Sequence, residues 1–316
     1  MRYYADAYNV HARIYAVKSR LFTRADYVSL IREQESSRDK VSTDEGMIRV
    51  KEEVFRKEIG KVLQLAQAVE MYEPLFLAFL RRYEVNNVKL ILAKIFGRPS
   101  VTMWYDIGDF AIIGRDLLMK DVSIGELEKI CSDTGLEGLF AKKVSYAHLE
   151  IRIDLLTMKN MIAASASFHR EVGDVFRTFI KKRIAVLLAL RRVRLKRIYH
   201  IHTEKIALDE RAFSEIFEES FEPQVKIVEK ELLGRIAGLE KSGVHQPEVP
   251  DIEYYLEDYF YQWVLSMFHK DFHAPYCVIS YLWLLAYQIR NLFCIVEGVR
   301  FGLSQEAIVE RIISEA

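Results

Sequence analysis

The chain has 316 residues, 51% of them hydrophobic and 28% charged, which is ordinary globular composition and enough for two or three domains. Lys and Arg total 45, as do Asp and Glu, so the formal net charge is zero. That balance argues against a dedicated nucleic-acid binder, which would carry a basic excess, and nothing in the totals points to an acidic tail or a disordered chain.

Three cysteines, Cys131, Cys277 and Cys294, stand far apart. They offer neither a disulfide framework nor a CxxC metal spacing, so a reducing cytosolic compartment is expected. The opening residues, from Met1 to Asp6, contain no apolar core of a secretory signal. The most apolar run, Cys277 to Ile289, is shorter than the roughly 20 residues that cross a bilayer, so it is expected to be a buried core helix. Any membrane association is then expected to run through a partner.

Six prolines and fourteen glycines leave room for long uninterrupted helices. Apolar residues recur with a period near 3.6, whereas alternation with period two is scarce, and an all-α fold is predicted. A first helix is expected over Asp6 to Leu21. Thr23, answered by Asp26, reads as the cap of a second helix that reaches about Glu33. The polar stretch from Arg32 to Gly46 lacks periodicity and is expected to be a mobile connection. Met47 to Ala68 places Val50, Val54, Ile59, Val62 and Leu65 on one face. Pro74 to Phe96 follows, stopped by Gly97 and Pro99.

Trp104 to Gly114 is the least periodic segment, and a first domain boundary is placed there. Ser123 and Glu126 form a capping-box pattern at the start of a short helix to about Cys131. Further helices are expected over 147–165, 170–200, 208–239, 252–269, 276–299 and 304–313, with a loop over 241–250.

Three long helices share one internal pattern. Tyr83 leads Asn87, Val88, Ile91 and Leu92. Phe179 leads Arg183, Ile184, Leu187 and Leu188. Tyr287 leads Asn291, Leu292, Ile295 and Val296. In each copy an aromatic residue precedes aliphatics at offsets of five, eight and nine, which share one helical stripe. Burial of each large aliphatic contributes about 1.5–3 kcal/mol. The near-even spacing predicts three similar helical modules, 1–112, 113–205 and 206–316, in a pseudo-threefold, funnel-like arrangement.

Tyr8 to Leu21, including Ala12, Arg13, Lys18, Ser19 and Arg20, resembles the N-terminal helix of the C-type subunits of V/A-type ATPases, relatives of the d-type subunits of eukaryotic V-ATPases. Tyr287 to Leu292, followed by Gly298 to Ile308, resembles that family's last two helices, and Tyr83 to Leu92 its first-domain helix. The resemblance implies a non-catalytic rotor component on the cytoplasmic side of the membrane. It would be a socket between the central-shaft proteins of D and F type and the proteolipid ring, carrying torque for H⁺ or Na⁺ transport coupled to ATP hydrolysis or synthesis. Copies two and three depart from the family pattern: Ile180 and Gln288 replace the acidic residue that is Glu84 in copy one, and Arg183 replaces the asparagine in copy two. A stand-alone helical scaffold in another complex is the alternative reading.

No phosphate-cradling glycine loop occurs, since Gly60-Lys61 lacks the earlier glycine of a P-loop. Catalytic, cofactor-binding and metal-binding residues are expected to be absent. His269 and His273 stand at i and i+4 near Cys277, but Pro275 points to a helix end instead of a metal pair. His200 and His202 suit a helix C-terminus. The densest basic cluster comprises Lys181, Lys182, Arg183, Arg191, Arg192, Arg194, Lys196 and Arg197. Its plain reading is a solvated face, and its sharper one is contact with an acidic partner such as the shaft. The aromatic run from Tyr254 to Trp263 reads as core, with an interface as the other reading.

Overall fold

The computed structural model describes residues 2–36, 38–68, 72–98, 103–133, 136, 139, 146–197, 217, 221–241, 249–270 and 275–315. Among these residues all regular structure is helical, as the apolar period predicts. The α-helices are α1 (Arg2–Lys18), α2 (Arg24–Ser36), α3 (Asp44–Ala68), α4 (Glu73–Ile95), α5 (Ile124–Asp133), α6 (Tyr146–Ala164), α7 (Arg170–Arg197), α8 (Glu222–Lys241), α9 (Val249–Phe268), α10 (Tyr276–Arg300) and α11 (Gln305–Val309).

Local chemistry fixes several ends. Asp26 accepts bonds from the Thr23 N–H (2.8 Å) and hydroxyl (2.7 Å), closing the capping box of α2. Glu126 does the same for Ser123 at α5, at 2.7 and 2.8 Å. Ser304 accepts from the Ala307 N–H (3.2 Å) to open α11. Gly97 and Gly302 adopt left-handed φ of 61° and 70° just past α4 and α10. Arg98 N–H then reaches Ala93 O, as Leu303 N–H reaches Gly298 O, both at 2.9 Å. Both helices therefore end in the same reversed-turn cap, which only glycine adopts without strain.

The stretch from Arg32 to Gly46 is not the mobile connection expected from its polarity. α2 continues to Ser36, a 3₁₀ turn covers Arg38–Val41, and α3 begins at Asp44. Val41 is fully buried and Met47 is 4% exposed, packing with Ile295, Val296 and Val299 of α10. Two apolar anchors suffice to hold a chain whose other residues are polar. On α3 the fully buried residues are Phe55, Ile59 and Val62, while Val50 and Val54 are half-buried. α1 stops at Lys18, where the Leu21 N–H folds back to Lys18 O (2.9 Å). α11 ends at Val309, short of the expected Ile313, because the Ile313 backbone is held by Asn291 instead of by a helix. The expected helix start near Leu208 and the loop over 242–248 lie outside the described residues.

α10 is the central element. It is long and apolar enough to cross a membrane, yet 72% of its apolar window is buried inside the protein. α1, α2, α3, α7 and α9 all pack against it. The main apolar core runs from Val10 through Phe179 to Ile313. A second core joins Val88, Ile91 and Leu92 of α4 to Leu127, Leu149 and Ile153, and so crosses the segment between 103 and 114.

Candidate functional site

The three repeat leaders converge. Tyr83 meets Phe79 edge-on at 5.8 Å, and Phe79 meets Trp283 at 6.2 Å. Trp283 contacts Phe260 at 5.2 Å, and Phe260 contacts Tyr287 at 6.5 Å and Trp263 at 5.8 Å. Trp263 closes on Phe179 at 4.7 Å. The helical offsets place Phe79 above Tyr83, Trp283 above Tyr287 and Phe260 above Trp263, so one stripe per helix supplies the cluster. Each such ring pair adds about 0.5–1.5 kcal/mol beyond area burial. The aromatic run on α9 thus divides: Leu256, Phe260 and Tyr261 are buried, while Tyr254, Tyr255, Tyr259 and Trp263 are half-buried against the core.

Four residues after Tyr83 and Tyr287, two asparagines do the same job. Asn87 donates to Tyr105 O and accepts from the Tyr105 N–H, both at 2.8 Å. Asn291 donates to Ile313 O (2.6 Å) and accepts from the Ile313 N–H (3.1 Å). A side-chain amide carries one donor and one acceptor side by side, so it replaces a missing neighbouring strand for one residue of irregular backbone. The residues after the leaders bind neighbouring backbone too: Glu84 accepts from the N–H groups of Ile112 and Ile113, and Gln288 accepts from that of Phe22 (2.8 Å).

Arg183, at the equivalent place on α7, forms a two-pronged pair with Glu257 of α9, at 2.7 and 2.9 Å. Tyr287 donates its hydroxyl to the same carboxylate at 2.7 Å. Burial alone would raise the Glu257 carboxyl, but Arg183 and the hydrogen bonds overcome it and hold its pKa at about 2. The Arg183 guanidinium also lies 5.2 Å from the Phe260 ring. The pair therefore ties α7, α9 and α10 together directly over the aromatic cluster.

The rest of the basic stretch is distributed. Lys182 donates to the Tyr259 hydroxyl at 2.5 Å and sits over its ring at 4.4 Å. Arg192 bridges Glu222 and Glu229 of α8, and Arg191 is half-buried. The side chains of Arg194, Lys196 and Arg197, together with His200, His202 and His273, lie outside the described residues. His269 is exposed beyond the end of α9, its ring against Phe268. No group of three or more metal-ligating side chains occurs among the described residues. The three cysteines are free thiols, and burial pushes Cys131 up to about 12.

Arg82 was not marked by sequence reasoning. The signal was there: a charge directly beside the Tyr83 leader, at the edge of a stripe that packs into the core. Its guanidinium lies 4.5 Å from the Trp283 ring, 5.1 Å from Phe79 and 5.4 Å from Tyr83. Burial, and then the neighbouring Arg183, lower its pKa. Arg82 and Tyr83 line a cavity of about 540 Å³ between α3, α4, α9 and α10.

Comparison with protein families matches residues 10–311 to the family described as ATP synthase (C/AC39) subunit. No curated protein matches the chain.

Proposed function

We propose, from the premise that this chain belongs to the ATP synthase (C/AC39) subunit family, that it is the rotor socket of a V/A-type rotary ATPase. Membership makes it a peripheral, non-catalytic component of a membrane ATPase complex. The finer reading seats it on the cytoplasmic face of the proteolipid ring, with the shaft proteins of D and F type held in a funnel of three modules, 1–112, 113–205 and 206–316. ATP hydrolysis elsewhere then turns shaft, socket and ring together to move H⁺ or Na⁺, and reversal makes ATP.

The observation that supports this reading is the junction of α4, α7, α9 and α10 through the aromatic cluster and the Arg183–Glu257 pair. Transmitting torque requires a body that resists internal slippage, and interdigitated aromatic packing supplies that stiffness without bond-making chemistry. The α7 basic stretch is proposed to meet an acidic shaft surface through Arg191, Arg194, Lys196 and Arg197. Arg183 and Arg192 face the chain's own carboxylates.

Deletion of this chain from the native complex tests the reading. The expected result is a head that still hydrolyses ATP but drives no ion transport, with the ring no longer co-purifying with the shaft. A complex that keeps shaft and ring together and pumps ions without this chain would overturn it.

A further inference from the structure

We infer that the cavity beside Arg82 is a binding site for an oxyanion, a phosphate or carboxylate group received by Arg82, Tyr83 and Arg290. The inference stands apart from the rotary reading, since it rests on the donor inventory of the cavity alone.

Two buried donors at this cavity have no acceptor: Nη1 of Arg82 and the hydroxyl of Tyr83, a residue only 5% exposed. Next to them, Nε1 of Trp283, whose ring lies against the Arg82 guanidinium, is also buried without an acceptor. A buried donor left unmatched costs about 1–3 kcal/mol, and more when charged, so an acceptor that reached the Arg82 and Tyr83 side chains from the cavity would relieve that cost. All three can donate, and Trp283 and Arg82 can do nothing else.

Charge points the same way. The cavity is lined by Lys51, Arg82, Arg290 and Arg311 against Glu253 and Glu297. Glu297 is held by Lys51 at 2.6 Å, and Arg311 is 3.5 Å from Asp251. Arg82 has no carboxylate within ion-pair distance among the described residues, nor has Arg290, which is exposed at the cavity's edge. Arg82 also stands close enough to Arg183 to be repelled by it, and Glu257 is already engaged on both oxygens by Arg183. An incoming anion would supply the missing counter-charge. The volume lies within the roughly 300–1,000 Å³ of small-ligand sites, and Tyr105, Tyr254 and Phe293 supply apolar wall beside the charged groups.

Isothermal titration of the intact chain with inorganic phosphate, pyrophosphate and N-acetylglutamate, at ionic strength fixed with chloride, tests this. Saturable binding of at least one is expected. It should weaken by about tenfold or more in Arg82→Met, the loss of one charge-assisted contact, and several-fold in Tyr83→Phe. The phenylalanine keeps the ring contacts to Phe55, Phe79 and Tyr105, so its fold does not depend on the lost hydroxyl. Tighter phosphate or pyrophosphate assigns a phosphoryl ligand, and tighter N-acetylglutamate a carboxylate. Absence of saturable binding for all three, or affinity unchanged in the folded Tyr83→Phe and Arg82→Met proteins, overturns the inference.

Discussion

Arg183 and Glu257 meet fork to fork, with side-chain exposures of only 15% and 13%. Breaking a buried pair is costlier than never having made it, because the remaining charge is stranded. Arg183→Met is expected to lower unfolding free energy by about 3–5 kcal/mol, and Arg183→Met/Glu257→Leu to recover most of that loss. Urea denaturation of the three proteins checks it. A double variant as unstable as the single one would show that the pair acts through something other than charge.

The same carboxylate makes stability depend on acid. Glu257 has a pKa near 2 in the folded chain against an ordinary 4.5. Between those values the unfolded chain binds a proton that the folded one does not. The stabilisation is therefore complete above about pH 4.5 and disappears as pH falls towards 2, amounting to about 3 kcal/mol at most. Measured from pH 6 down to pH 2, wild type should lose more stability than the Arg183→Met/Glu257→Leu protein. Parallel curves would contradict this.

Asn291 holds Ile313 by both backbone groups in the buried core. Asn291→Ala strands a donor and an acceptor, at a cost of about 2–4 kcal/mol. It should also release the chain after α11, read as loss of hydrogen-exchange protection at the Ile313 amide. Asn87→Ala should do the same at Tyr105. Retained protection at both amides would mean that the segments are fixed by packing alone.

Glycines on helices separate open space from close approach. A methyl at Gly298 would come 2.6 Å from Cγ1 of Ile308, whereas one at Gly60 meets nothing within 4 Å. Gly298→Ala is expected to push α11 from α10 and destabilise by about 1–3 kcal/mol. Gly60→Ala should stabilise α3 by about 0.5–1 kcal/mol. Thermal unfolding that moves both midpoints in one direction would refute the contrast.

The helices were legible because each has a broad apolar stripe and several carry caps that act locally: Thr23 with Asp26, Ser123 with Glu126, and glycine after α4 and α10. The leaders Tyr83, Phe179 and Tyr287 were legible as a pattern, since spacing alone aligned them. What joins them was not. Phe79, Trp283, Phe260 and Trp263 lie on three helices, and no periodicity tells which stripe faces which. Glu257 was hidden for the same reason: a carboxylate in a mixed-charge run gives no sign of the guanidinium it will meet in space. Val41 and Met47 show the converse limit, where two anchors in a polar stretch override its average character. Arg82 was missed because a sequence displays a charge but not whether its counter-charge is present.

α10 carries one more consequence. The faces of α1, α2 and α3 pack on a helix that begins at residue 276, so these segments find part of their seat in one synthesised about 200 residues later. At about 5–20 residues per second, they wait for that seat on the order of tens of seconds. Phe55 already finds Tyr83 and Tyr105 in that interval, so what the late helix adds is closure of a face that α4 has begun to cover.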